Sequence, residues 1–146
     1  MSAANPVTWS DHDAVLFDLD GVLTPTAEVH MRAWAEMFDA FLSTWLTPAA
    51  DTSPYTDADY FAHVDGKPRY EGVRDLLTAR GIRLPHGEPG DAPELDTVCG
   101  LGNRKNQVFN EVLETEGVQA YPGSITLLAH LATLDIRQNS EFHDLA

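Results

Sequence analysis

Two aspartates, Asp18 and Asp20, stand at the end of the apolar run AVLFDLDG (residues 14–21), and Gly21 follows at once. In an extended strand, side chains at i and i+2 share a face, so the two carboxylates repel each other unless a cation or a substrate lies between them. Strand interiors also disfavour Asp. A buried apolar run that ends on such a pair points to chemistry in which one carboxylate attacks while the other moves protons. A pair of loop acids with no role is the bland alternative, and a calcium loop is the other. The calcium loop fails on spacing: Gly21 is fourth from Asp18 where such a loop needs its glycine sixth, and Val29 stands where the closing Glu should be.

The pair needs elements to hold it. Residues 14–19 are short and apolar and stop at Asp-Gly, which predicts a strand buried on both faces, as in a parallel sheet. A carboxylate at the C-terminal end of such a strand sits where open α/β sheets bind ligands. Over 26–46, Trp34, Met37, Phe38, Phe41, Leu42 and Trp45 recur three and four apart and predict a helix that Pro48 ends. A loop over 47–55 follows, then a short helix over 57–64 with Thr56 as its N-cap, and a turn at Asp65-Gly66. The spacing of Val73, Leu76 and Leu77 predicts a helix over 69–80 with Gly81 as its stop. After the loop LPHGEPGDAP, residues 94–116 read as one long helix or two joined ones, with Val98, Leu101, Val108, Val112 and Leu113 apolar and with Gly100 and Gly102 against helical propensity. Tyr121-Pro122-Gly123 opens a last helix carrying Ile125, Leu127, Leu128, Leu131 and Leu134, and beyond Ile136 the pattern collapses.

Composition narrows the function classes. A chain of 146 residues, 43% hydrophobic and 22% charged, fits one globular domain. Nine basic against 23 acidic residues give a net charge of -14, and with no Lys/Arg run this argues against nucleic acid as a partner. Cys99 has no second cysteine to pair with, the N-terminus lacks a basic start followed by a long apolar run, and a reduced, cytoplasmic location is expected. No apolar stretch approaches the roughly 18 residues of a membrane span, so no membrane partner is expected. Gly100-Leu101-Gly102 is discarded as a dinucleotide loop, because no strand precedes it and the third glycine is missing. Ser124, His130 and Asp135 are discarded as a triad, because no nucleophile elbow surrounds Ser124.

The string FDLDGVLTPTAEVHMRAW (residues 17–34) resembles the first motif and adjoining cap helix of the haloacid dehalogenase-like hydrolases, in particular the β-phosphoglucomutase-like subfamily. VDGKPRYEGV (64–73), LGNRKNQVF (101–109) and VQAYPGSITLLAHL (118–131) extend the resemblance. It implies an α/β fold: a partial Rossmann-like core of the first strand and one following helix (11–24 and 116–137), an inserted α-helical cap (25–115) and a tail (138–146). It further implies that Asp18 is the nucleophile that becomes an aspartyl phosphate and that Asp20 is the general acid/base. Mg2+ would be held by the Asp18 carboxylate and the Asp20 main-chain carbonyl, and would offset their repulsion. Thr26 and His30 match the family's TAxxH segment, with His30 aligning Asp20 as the cap closes, and Trp34 matches the apolar wall of the cap. Arg69 matches an arginine that holds the substrate's distal phosphate, and Lys105 and Asn106 fall in the RKN triplet at the cap's active-site edge. Gly66 would let the cap loop approach a sugar phosphate, or serve the Asp-Gly turn, or both. A surface at -14 repels free sugar phosphates, so a productive site needs Mg2+ together with Arg69 and Lys105.

Departures from the pattern shape the expectation. Pro25 stands where the subfamily usually has a second acid. Past Ile136 the sequence RQNSEFHDLA is polar, and Ser140 has no apolar strand ahead of it, so the family's phosphate-binding Ser or Thr is not assigned. The later lysine and the terminal acidic pair have no counterpart either. The resemblance thus implies a C-terminally truncated member that falls short of independent catalysis, with three functional readings: a sugar-phosphate mutase, a phosphatase, or a non-catalytic paralogue or binding module. The core segments fall below the roughly 40 residues that fold alone. A lone strand with two unpaired edges is expected to lean on its cap, aggregate, form a homo-oligomer or be covered by a complementing chain.

Overall fold

Each helical periodicity in the chain becomes a helix, and the boundaries move where a cap or a proline decides them. The computed structural model describes residues 7–134 and 136–138. After a 3-10 turn at Trp9–Asp11 the chain forms β1 (Ala14–Val15), α1 (Thr26–Thr44), α2 (Asp57–Asp59) running into a π-helical turn (Tyr60–Val64), α3 (Arg69–Ala79), α4 (Val98–Glu116), α5 (Pro122–Thr133) and β2 (Arg137–Gln138). These form two compact units, one of Met1–Ala27 with Val118–Ala146 and the other Glu28–Gly117.

The Glu28–Gly117 unit is helical and holds the larger core. Trp34, Met37, Phe38, Phe41 and Leu42 of α1 pack with Val73, Leu76 and Leu77 of α3 and Val98 and Leu101 of α4. Helix α1 stops at Thr44 rather than at 46, because Pro48 biases the residue before it away from helical geometry; Leu46 is left 90% exposed. Thr56 caps α2 as expected, in a reciprocal box with Asp59. Helix α4 begins at Val98 and not at 94: Thr97 Oγ1 accepts the Gly100 amide at 2.9 Å, while Leu95 turns back onto the Ala92 carbonyl. Buried Arg80 staples the loop after α1, donating to the Ser53 and Pro54 carbonyls and the Ser53 hydroxyl and pairing with Asp59 at 2.9 Å and Asp51 at 3.1 Å. Two polar atoms in this core, Tyr55 Oη and Trp45 Nε1, have no hydrogen-bond partner among the described residues.

In the other unit the first strand is shorter and more exposed than its apolar sequence predicts. Only Ala14 and Val15 join a ladder, and Leu16 is 84% exposed, so a strand buried on both faces is not found. The strand is not alone either. It pairs in parallel with β2, Ala14 opposite Arg137 and Val15 opposite Gln138. Period-2 patterning could not reveal β2, because a two-residue polar segment takes strand form from its partner and not from its own side chains. Leu23 and Leu128, with Phe17 and Ile125, make the small core here. Most of the predicted tail, with Ser140, and Asp135 of the discarded triad lie outside the described residues.

Candidate functional site

The turn after β1 builds a carboxylate cluster. Gly21 takes φ +76°, which lets the chain reverse so that the amides of Val22, Leu23 and Thr24 converge on the Leu19 carbonyl at 3.0 to 3.3 Å, while Gly21 donates to Thr24 O at 2.7 Å. Helix α5 anchors this turn: Ser124 Oγ donates to Val22 O at 2.7 Å and the Tyr121 amide to Leu23 O at 2.9 Å. Ser124 therefore holds the loop, consistent with discarding it as a nucleophile.

Within the cluster the two aspartates stand in different surroundings. Both are exposed, and Asp18 Oδ1 accepts the next amide, Leu19 N–H, at 2.8 Å. Asp20 Oδ1 accepts from the buried Thr26 hydroxyl, and Thr26 Oγ1 lies 2.8 Å from the buried Thr24 Oγ1. Since the Thr26 proton goes to the carboxylate, Thr26 accepts from Thr24, whose one hydroxyl proton is shared with the Leu19 carbonyl 3.3 Å away. Both carboxylates face solvent, and that of Asp20 is held by a side-chain hydroxyl. The Asp18 carboxylate and the Asp20 carbonyl are hard oxygen donors, the kind Mg2+ takes while keeping several waters. They fit that ion as part of a shell; among the described residues no group of three or more His, Cys, Asp or Glu is placed to hold a metal.

The remaining candidates lie in the helical unit, in two groups. Lys105 of α4 is only 4% exposed, with Nζ 2.6 Å from His30 Nδ1, 4.8 Å from the Phe109 ring centroid and 5.3 Å from that of Trp34. An ammonium has only protons to give, so with Lys105 charged His30 Nδ1 is the acceptor of this contact. Phe109 stacks on His30 at 4.0 Å and completes the cage. In the second group, the Arg69 guanidinium lies 4.9 Å from the Tyr70 ring centroid and donates to Tyr70 Oη at 3.2 Å. Gly66 has φ +68° and open space where a Cβ would be, so its backbone conformation is what demands glycine. Asn106 is half-buried on α4.

A family model described as haloacid dehalogenase-like hydrolase matches residues 12–138. The chain belongs to that family. Among its relatives, this haloacid dehalogenase-like hydrolase is 47% identical over 113 residues to β-phosphoglucomutase of Mycobacterium bovis, covering 76% of the chain and 43% of that protein. It is 43% identical over 105 residues to a Mycobacterium tuberculosis protein named an uncharacterized glycosyl hydrolase, covering 71% of the chain and 8% of that protein. The crystal structure of CbbY from Rhodobacter sphaeroides in complex with phosphate is similar at a TM-score of 0.57 and 25% identity, covering 87% of the chain and 49% of the other. The chain thus spans under half the length of the β-phosphoglucomutase and of the solved relative it matches. Within the family it is β-phosphoglucomutase-like, as the motifs implied, and the partial core with its helices agrees with the expected fold class.

Sequence reasoning missed Thr24, Phe109, Tyr70 and Asn103. Phe109 gave a signal: it lies four residues beyond Lys105 on one helix, at the spacing where side chains meet.

Proposed function

We propose that this haloacid dehalogenase-like chain carries the nucleophile loop and substrate-binding cap of a sugar-phosphate mutase. In this reading 11–24 with 116–137 are part of the catalytic core and 25–115 the cap. The observation that carries it is the pair of exposed carboxylates at the end of β1, of which Asp18 accepts from the next amide while Asp20 is held by the Thr26 hydroxyl. A nucleophile must be accessible, and an acid/base must keep its aim through two half-reactions.

Asp18 attacks the phosphorus of a sugar phosphate, the bond from phosphorus to the sugar oxygen breaks, and Asp20 delivers its proton to that oxygen. A different hydroxyl of the sugar, deprotonated by Asp20, then takes the phosphoryl group and frees Asp18, which interconverts a 1-phosphate and a 6-phosphate. Mg2+ bound through Asp18 and the Asp20 carbonyl supplies charge neutralisation for the transferred group. Arg69 receives the distal phosphate as a forked cation, and Lys105, His30, Trp34, Gly66 and Asn106 shape the sugar side. The β-phosphoglucomutase among the relatives supports this substrate class.

The test is sugar-phosphate isomerisation and phosphate release by the purified chain with Mg2+, beside Asp18→Asn. Isomerisation that disappears in the variant supports the mutase. Free phosphate alone, also lost in the variant, replaces it with a phosphatase of the same family. If both proteins are inert, the chain does not catalyse on its own and the mutase reading fails for it.

A further inference from the structure

The least expected packing in the helical unit surrounds Tyr70, and it gives Gly102 and Asn103 a purpose that their motif did not. Tyr70 Oη contacts three groups: Arg69 Nη2 at 3.2 Å, Asn103 Oδ1 at 3.0 Å and the Pro89 carbonyl at 3.4 Å. Which way the protons run follows from Asn103. Its Nδ2 donates to the carbonyls of Pro89 at 3.0 Å and Asp91 at 2.9 Å, so the amide oxygen must face Tyr70. The tyrosine proton goes to that oxygen, and its lone pairs are left for the Arg69 guanidinium.

Further hydrogen bonds hold the loop behind Asn103. Asp91 Oδ2 accepts from the Thr97 hydroxyl at 2.6 Å and from the Glu88 amide at 3.2 Å, closing the loop that presents the Pro89 and Asp91 carbonyls. Gly102 provides the seat. A Cβ on it would lie 2.7 Å from Tyr70 Cδ1 and 3.2 Å from Arg69 Cγ, so the ring and the arginine stem rest on bare helix backbone. A glycine inside a helix works against helical propensity, and this contact accounts for it.

We propose that Tyr70, oriented by Asn103 and seated on Gly102, is a positioning residue that aims the Arg69 guanidinium at the anionic end of the ligand. This rests on the reading of Arg69 as a phosphate-binding residue. A guanidinium held along one ring face and bonded at the ring's hydroxyl presents its remaining N–H fork in one direction, so less freedom is lost on binding.

Two measurements on the full chain test it. The first needs no ligand: NMR relaxation of the Arg69 Nε–H group, expected to be ordered in the native chain and as mobile as that of exposed Arg83 in Tyr70→Phe, which keeps the ring and removes only the hydroxyl. Equal order of Arg69 in both proteins overturns the proposal. The second is titration with glucose 6-phosphate in Mg2+. Arg69→Ala is expected to weaken binding about tenfold or more. Tyr70→Phe and Asn103→Leu are each expected to weaken it about threefold to tenfold when Arg69 is present, and to have no effect in the Arg69→Ala background. A merely structural role would lower the melting temperature in both backgrounds without this dependence. If Arg69→Ala binds like the native chain, or the native chain does not bind the probe, the phosphate role of Arg69 fails and only the ordering of its side chain remains to be judged by NMR. If Arg69→Ala weakens binding and Tyr70→Phe does not, the positioning role fails and the phosphate role stands.

Discussion

The Thr24–Thr26–Asp20 hydrogen bonds and the Lys105–His30 contact both follow from groups that have only a donor, or only an acceptor, left to offer. Tyr55 is the counter-example. Its ring stacks on Phe38 at 5.1 Å and the side chain is buried, yet the hydroxyl finds no partner among the described residues, and burial raises its pKa well above the usual tyrosine range. A buried hydroxyl without a partner keeps its desolvation penalty. Tyr55→Phe is therefore expected to leave stability unchanged or raise it by about 1 kcal/mol, read from urea midpoints at neutral pH. A loss of more than about 1 kcal/mol would mean that the hydroxyl is satisfied in solution.

At the scale of elements, Arg80 does what the helix pattern alone cannot show, since it reads there only as the last residue of the helix expected over 69–80 and caps α3 in the structure. It is buried against Asp59 and the carbonyls of the loop that returns from α1. Burial works against the charged form of Asp59, but the Thr56 hydroxyl and amide and the Arg80 guanidinium outweigh it and lower the carboxyl's pKa. The folded state thus binds this proton less readily than the unfolded chain. The stability it contributes is present above the ordinary value of 3.8 and is lost as the pH falls through the lower folded value. Arg80→Met should destabilise by about 3 kcal/mol at pH 7, and the gap from the native chain should narrow at pH 3. An equal gap at both values would remove Asp59 from the account. The same contrast explains what was legible in advance. The helices and their inward faces follow from apolar spacing, and Asp18, Asp20 and Gly21 from their place at the end of an apolar run. Arg80, Tyr70 and Asn103 act through carbonyls and hydroxyls brought near by loops, and no local pattern encodes such a partner. Gly100 and Gly102 looked like breaks in a helix, but a Cβ at Gly100 would lie 2.2 Å from the Leu95 carbonyl, so the packing of a neighbour demands them.

For the whole molecule, the decisive asymmetry is that most of the apolar core lies in the unit without the paired aspartates. The Glu28–Gly117 unit buries aromatic and aliphatic side chains from three helices in one cluster. The unit with Asp18 and Asp20 has a two-residue parallel ladder and a core centred on Leu23 and Leu128. Local opening is easiest where few buried apolar groups must separate and backbone hydrogen bonds face water. Amides of Phe38, Leu42, Leu76, Leu77 and Leu101 should therefore be the slowest to exchange with solvent, and those of Val15 to Leu19 among the fastest. Hydrogen exchange mapped by NMR at neutral pH checks this directly. Protection at Val15 and Leu16 equal to that of the helical core would mean that the ladder is part of a larger sheet, and a size measurement on the same sample would then show whether a second copy supplies it. Fast exchange there, with the helical unit protected, would mean that the carboxylate loop must be ordered by something outside its own small core. Ligand binding is one source of that order, since anything that binds only the folded loop stabilises it by mass action. Repeating the map with Mg2+ and a sugar phosphate should then slow exchange at Leu19 to Thr24 before it changes anything at Leu76 and Leu77 in the core of α3.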